Sequence, residues 1–223
     1  MKRTKLSERA LPSYSRGEEI MNMATHIPGI LLGLFALVIL PVMTAPGGEP
    51  LNICASVLYA LSITAVFSVS SVYHGLTTTL SKKVMQVIDH CTIYLLIAGT
   101  YTMILICALR KSFPELSWGL LCFEWACATL AVTLTAIDLK RYSVFSMCCY
   151  IGMGWAVIPF WRPVLQVLTM PGFLLLLLGG IAYSVGSILY GLGKRRKWMH
   201  SVFHIFVDLG ALLQFLSIVL YAV

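Results

Sequence analysis

Long apolar runs alternate with short polar breaks along this chain. Residues 1–21 are polar, with Lys2, Arg3, Lys5, Arg9 and Arg16 set against Glu8, Glu18 and Glu19. Seven apolar runs follow, at about 22–44, 51–74, 84–109, 114–137, 143–161, 171–193 and 198–222. A helix of about 20 apolar residues crosses the hydrocarbon of a bilayer, so each run is long enough to span. The breaks carry turn and charge signals. Ala45-Pro46-Gly47-Gly48-Glu49-Pro50 reads as a tight turn. Lys82 and Lys83, Arg110 and Lys111, Lys140 and Arg141, and Lys194-Arg195-Arg196-Lys197 mark other breaks. Pro114 falls in the first turn of the fourth run, where it is tolerated. Ala182, Gly186, Ser187 and Gly191 give the sixth run a small-residue face suited to close helix packing. The pattern predicts an all-α, seven-transmembrane helix bundle. It forms one domain, 22–223, behind a cytoplasmic N-terminal segment, 1–21. No internal repeat or low-complexity segment is evident.

Composition sharpens the class. With 59% hydrophobic and 11% charged residues, the chain has more apolar surface than a water-soluble domain needs. Its formal charge of +7 does not point to nucleic acid, because the cations sit in the breaks between runs. There they report topology instead. Thirteen of the sixteen Lys and Arg residues fall in the N-terminal segment and the breaks after runs two, four and six; only Arg110, Lys111 and Arg162 fall on the other side. The positive-inside bias therefore predicts a cytoplasmic N-terminus and an outside C-terminus. The seven cysteines lie mostly in apolar runs without disulfide or zinc-ribbon spacing, and read as small buried residues. The first run follows a polar stretch and is long enough to span, so no cleavable signal is expected.

The candidate chemistry begins in the last run. His200, His204 and Asp208 recur every four residues. On a helix they drift by only about 40° per step and share a face. Ionisable groups at membrane depth are costly and face a bundle interior. With the orientation above, His74 at the end of run two and Asp89 at the start of run three lie at the depth of this stripe, and Ser70 sits one turn above His74. Three neutral imidazoles and a water form a common tetrahedral zinc site, and a His pair at i, i+4 plus a third His from another helix can supply it. Zinc would bring its water towards a neutral pKa. A carboxylate within reach could hold that water and shuttle its proton, Ser70 could bond the water or an oxyanion, and Asp208 could orient a ligating imidazole. Each residue also has a plainer reading. Histidines at helix ends are often merely interfacial, and this is the preferred reading for His90, which points about 100° away from Asp89. His26 could face a pocket or stay interfacial. Ser70 could bond its own helix. Glu124 is expected to be paired or water-facing, with Arg110 or Lys111 as partner.

Several stretches match a known family. They are Glu19-Ile20-Met21-Asn22-Met23-Ala24-Thr25-His26, Ser70-Ser71-Val72-Tyr73-His74, Asp89-His90-Cys91-Thr92-Ile93-Tyr94 with Ile97-Ala98-Gly99-Thr100-Tyr101-Thr102, and His200-Ser201-Val202-Phe203-His204 with Asp208. Over nearly its whole length the chain resembles the hemolysin III family, the bacterial branch of the progestin and adiponectin receptor family. The resemblance implies seven helices with a cytoplasmic N-terminus, residence in the bacterial cell membrane, and a zinc ion near the cytoplasmic face. By motif match, His74, His200 and His204 would be the zinc ligands, with Asp89 holding the metal water and Ser70 beside it. The wider superfamily includes alkaline ceramidases, and so implies metal-dependent hydrolysis of lipid amides. Bacterial members are also linked to membrane-lipid homeostasis, and pore formation is claimed for some.

Three functions follow as expectations. The first is an intramembrane zinc hydrolase acting on a lipid amide or ester, with Asp89 and Ser70 as catalytic residues and a membrane lipid as partner. The second is a non-catalytic lipid sensor in which zinc is a structural staple. The third is a pore-forming haemolysin, ranked last because the outer halves of the runs hold few charged residues apart from Glu124.

Overall fold

The computed structural model describes residues 4–77, 79–193 and 196–223. Lys2, Arg3, Lys194 and Arg195, four of the cations used for topology, lie outside them. Among the described residues all regular structure is helical: α1 (Arg16–Thr25), α2 (Ile27–Thr44), α3 (Pro50–Gly75), α4 (Thr79–Met103), α5 (Pro114–Ile137), α6 (Ser143–Gly154), α7 (Trp161–Gly193) and α8 (Met199–Tyr221). A wider π turn, Ile104–Leu109, extends α4. Among the described residues, six helical stretches are long and apolar enough to cross a membrane.

The first apolar run is entered differently from the sequence expectation. Residues 16–25 form a separate helix, opened by a capping box in which Ser15 and Glu18 satisfy each other's backbone N–H groups. The chain then bends at His26, and Pro28 stands in the first turn of α2. Proline has no N–H to donate back to α1, so a continuous helix would be broken here. The short helix α1 is thereby laid against α3 and α8.

The fifth candidate stretch, Ser143–Leu192, runs for 50 residues. A straight helix of that length would measure about 75 Å, more than twice the hydrocarbon thickness. The stretch instead folds back, because Trp155 Nε1 donates to Ser184 Oγ at 3.0 Å. Residues 162–168, which fall in the break between the fifth and sixth runs, are helical. The break falls at Thr169 (φ 59°, ψ 172°), two residues before Pro171, which restricts continuation of the helix.

Neighbouring helices pack as α2 on α3, α3 on α4, α4 on α5, and α7 on α8. The main apolar core joins Leu40, Tyr59, Ile63, Phe67, Met103, Leu105, Leu168 and Ile218. One end of the bundle gathers the N-terminal segment with the C-terminal ends of α3 and α5 and the start of α8. At the opposite end Glu49 pairs with Arg110 and Lys111. Glu124, expected to take one of those cations, has none of them: it is fully buried and both carboxylate oxygens lack a hydrogen-bond partner. Glu49, on the nearer loop, takes both cations, and the Arg110 bond holds its carboxyl below the usual range.

Candidate metal centre

The imidazoles of His74, His200 and His204 meet at the end of the bundle where the N-terminal segment packs. Each offers a nitrogen, and these atoms lie within 4.8 Å of one another. His200 and His204 stand one turn apart on α8, edge to face, with their Nε2 atoms 3.1 Å apart. His74 comes from the last turn of α3 and is buried, as is His204. This three-His cluster could hold a metal ion.

The surrounding bonds fit that use. Glu19 Oε2 lies 2.7 Å from His74 Nδ1. A ring nitrogen facing a carboxylate carries the proton, so Nδ1 donates and Nε2 keeps its lone pair. His74 Nε2 is buried and has no hydrogen-bond partner. His204 Nδ1 faces the carbonyl oxygen of Asn22 at 3.1 Å, which fixes its tautomer in the same sense. Imidazoles whose second nitrogen donates to a carboxylate or carbonyl are oriented as metal ligands are. A buried nitrogen such as His74 Nε2 is unfavourable without a partner, which a metal ion would supply.

Helix α1 supplies most of this support. Glu19 also accepts from Lys82 Nζ at 2.8 Å, so one carboxylate bridges a buried lysine and a buried histidine. Asn22 is fully buried; its Oδ1 accepts from Ser201 Oγ at 2.5 Å and its Nδ2 lies 3.5 Å from His74 Nδ1. The segment before α1 covers the cluster. Tyr14 stacks on His200 with ring centroids 5.0 Å apart and leans on His74 at 5.9 Å. Burial pushes its hydroxyl above the usual tyrosine range. Glu18 Oε1 accepts from the backbone N–H of Trp198, whose φ of 65° sets the entry into α8.

The other sequence candidates are distributed around the triad. Asp89, on α4, and Ser70, one turn from His74, line an apolar cavity that also touches His200 and His204. Asp89 Oδ2 stands 3.9 Å from His90 Nδ1. His90 Nδ1 is turned onto the Gln86 carbonyl at 2.8 Å. Asp208 lies next to His26, with 3.7 Å between Oδ1 and Nδ1, and His26 stacks on His204 with ring centroids 3.9 Å apart. The carboxylate bonded to a triad imidazole is that of Glu19. Glu19 and Asn22 were given no role by sequence reasoning. The available signal was Lys82 and His74 at neighbouring helix ends, two groups that need an anion once buried.

The chain matches the family described as "Haemolysin-III related" across residues 14–215, which include the triad, Asp89, Ser70 and Glu19. The chain belongs to the hemolysin III family. "Hemolysin-3" of Bacillus cereus is 36% identical over 204 residues, covering 92% of this chain and 91% of that protein. "Hemolysin-3 homolog" of Bacillus subtilis (strain 168) is 35% identical over 206 residues, covering 92% and 95%. "Monocyte to macrophage differentiation factor" of Homo sapiens is 26% identical over 174 residues, covering 72% and 67%. Membership of the hemolysin III family and the apolar helices make the chain a multi-pass membrane protein. The bacterial relatives make a bacterial inner membrane plausible.

Proposed function

We propose that this hemolysin III protein is a zinc-dependent intramembrane hydrolase of a lipid amide or ester, acting in membrane-lipid homeostasis. The observation that carries the reading is the meeting of three imidazoles, two of them buried and with their second nitrogens already tied, beside an apolar cavity that His200, His204, Asp89 and Ser70 line. His74, His200 and His204 hold the metal. Zinc suits an all-imidazole donor set. When bound, it supplies a Lewis acid that lowers the pKa of water and polarises a carbonyl.

The chain's own groups do the rest. The cavity walls, among them Ile97, Leu105, Phe173 and Leu176, take the lipid chain and keep bulk water away. Asp89 accepts the proton of the attacking water and returns it to the leaving group. Ser70 donates to the carbonyl oxygen as charge develops there. Glu19 and Asn22 keep the imidazoles in register.

The chain crosses the membrane seven times in this reading, with residues 143–168 and 170–193 as separate crossings and the N-terminus in the cytoplasm. The fold-back marked by Trp155 and Ser184 and the charge distribution support it. A second reading keeps zinc as a staple between α3 and α8 in a non-catalytic lipid sensor. It is favoured by the triad joining helices that are far apart in sequence.

Metal analysis of the purified protein tests the centre. The wild type is expected to hold about one zinc per chain, and His74→Ala, His200→Ala and His204→Ala much less. Equal metal in all four rejects it. Product release from ceramides, acyl esters or phospholipids that stops in Asp89→Asn protein separates hydrolase from sensor. Loaded wild type without turnover on any of them leaves the sensor.

A further inference from the structure

The N-terminal segment crosses the end of the bundle as a strap before it reaches the imidazoles. Its start lies on the end of α5. There the backbone N–H of Thr4 donates to Asp138 Oδ2 at 2.9 Å, and Arg9 Nη2 donates to the Ile137 carbonyl at 3.2 Å. It passes the start of α4, where Lys83 Nζ donates to the Ser7 carbonyl at 2.6 Å. It ends at Tyr14, whose ring stacks on His200 and leans on His74. The next residue, Ser15, opens α1. That helix has ties of its own: Glu18 to the backbone N–H of Trp198, Glu19 to His74 and Asn22 to Ser201. The strap can therefore lift at Ser15 while α1 keeps its grip on the imidazoles.

The strap is lightly held. From Thr4 to Ser15 only Arg9 is buried. Its Nε and Nη1 have no hydrogen-bond partner there. A buried guanidinium with two unpaired nitrogens is costly, and lifting it into water relieves that cost. A cleft lined by Leu6, Arg9, Val84, Val87, Ile88 and Ala136 is left beneath the strap, so little apolar packing opposes the lifting. Segments held by a few hydrogen bonds at the surface open far more often than a packed core.

An ion at the triad has two ways out. One leads into the cavity, past Ile93, Phe203 and Val207, where an ion stripped of water meets hydrocarbon. The other leads to the water at the end of the bundle, and Tyr14 covers it. We propose that residues 4–15 are a gate for the metal, with Tyr14 as the plug over His74 and His200 and Asp138 as the catch that holds the gate shut. The gate opens when the Thr4–Asp138 bond breaks, Tyr14 swings off the imidazoles and the triad meets water. The strap supplies no ligand, so it sets how fast metal exchanges and not how tightly it is held. The gate rests on the reading of the triad as a metal centre, but not on hydrolysis.

The test mixes zinc-loaded, full-length protein in detergent with excess 4-(2-pyridylazo)resorcinol. Colour development gives the release rate, and equilibrium competition with the same chelator gives the affinity. Asp138→Asn and Tyr14→Ala are each expected to release zinc about tenfold faster, with affinity within about threefold of wild type. Tyr14→Phe keeps the ring and is expected to match wild type; release as fast as from Tyr14→Ala overturns the ring as plug. Asp138 touches the strap at its far end, so Asp138→Asn carries the test if Tyr14→Ala misfolds. A triad that is merely loosened loses affinity by the same factor as it gains release rate, and that result overturns the gate. Wild type that takes up no zinc sinks the metal centre and the gate together. Zinc held by all four proteins and released at one rate sinks the gate alone.

Discussion

Glu19 accepts from His74 Nδ1 and from Lys82 Nζ at once, so its removal leaves a buried imidazole and a buried ammonium without their common acceptor. Glu19→Gln keeps the size and loses the charge. It is expected to weaken metal binding by roughly 10–100-fold, read by competition with a chromophoric chelator. Unchanged affinity would show that Glu19 does not orient a ligand. A second residue-scale outcome concerns Asp138. The backbone N–H of Thr4 donates to its Oδ2 at 2.9 Å and that of Arg141 to its Oδ1 at 3.1 Å. Led by the Thr4 bond, these hold its carboxyl down to about 2. A carboxyl with a depressed folded pKa contributes stability that is complete above its unfolded value and lost as pH falls through the folded one. Docking of the N-terminal segment should therefore hold above about pH 4 and fail towards about pH 2. At neutral pH, Asp138→Asn should mimic the acid state and speed tryptic cleavage after Arg9; equal cleavage rates would refute the tie. At this scale the grouping of His74, His200 and His204 was legible, because helical spacing and common depth select polar residues in apolar runs. Glu19 and Asn22 were not, since they stand on a helix whose docking no local pattern records.

At the scale of the elements, α2 and α3 approach most closely at Gly33. A Cβ there would stand 2.7 Å from the backbone nitrogen of Thr64 and 2.9 Å from its Cα, and backbone cannot move aside as a side-chain tip can. Gly33→Leu should lower the thermal midpoint, with a cost of about 1–3 kcal/mol or more from overpacking. Differential scanning fluorimetry in detergent measures it, and an unchanged midpoint would mean that the helices are not in contact there. The hydropathy pattern gave an all-helical, apolar chain, and among the described residues six helical stretches are long and apolar enough to cross a membrane. It misplaced two joints. The bend at His26 depends on Pro28 and on the surface that α1 finds against α3 and α8. The break between the fifth and sixth runs narrowed to Thr169, because 162–168 can bury Val164 and Leu168.

For the whole molecule, the triad end and the Glu49–Arg110 end face opposite sides of the bundle. In the topology proposed from the charge bias the triad end is cytoplasmic. In a cysteine-free background, Gly48→Cys should react with an impermeant maleimide on intact cells, and Ser7→Cys only after lysis. The opposite pattern would invert the proposed topology.

The sequence by itself determined that the chain is a helical membrane protein of the hemolysin III type and which histidines can share a metal. Those properties follow from composition, period and motif spacing, which are written along the chain. Only the tertiary structure decided that α1 folds under the bundle to hold His74 and His204, that Arg110 goes to Glu49 and leaves Glu124 alone, and that His26 lies beside Asp208 and on the ring of His204. Each of those depends on which helix faces lie against each other, and several faces of similar hydrophobicity compete for every contact.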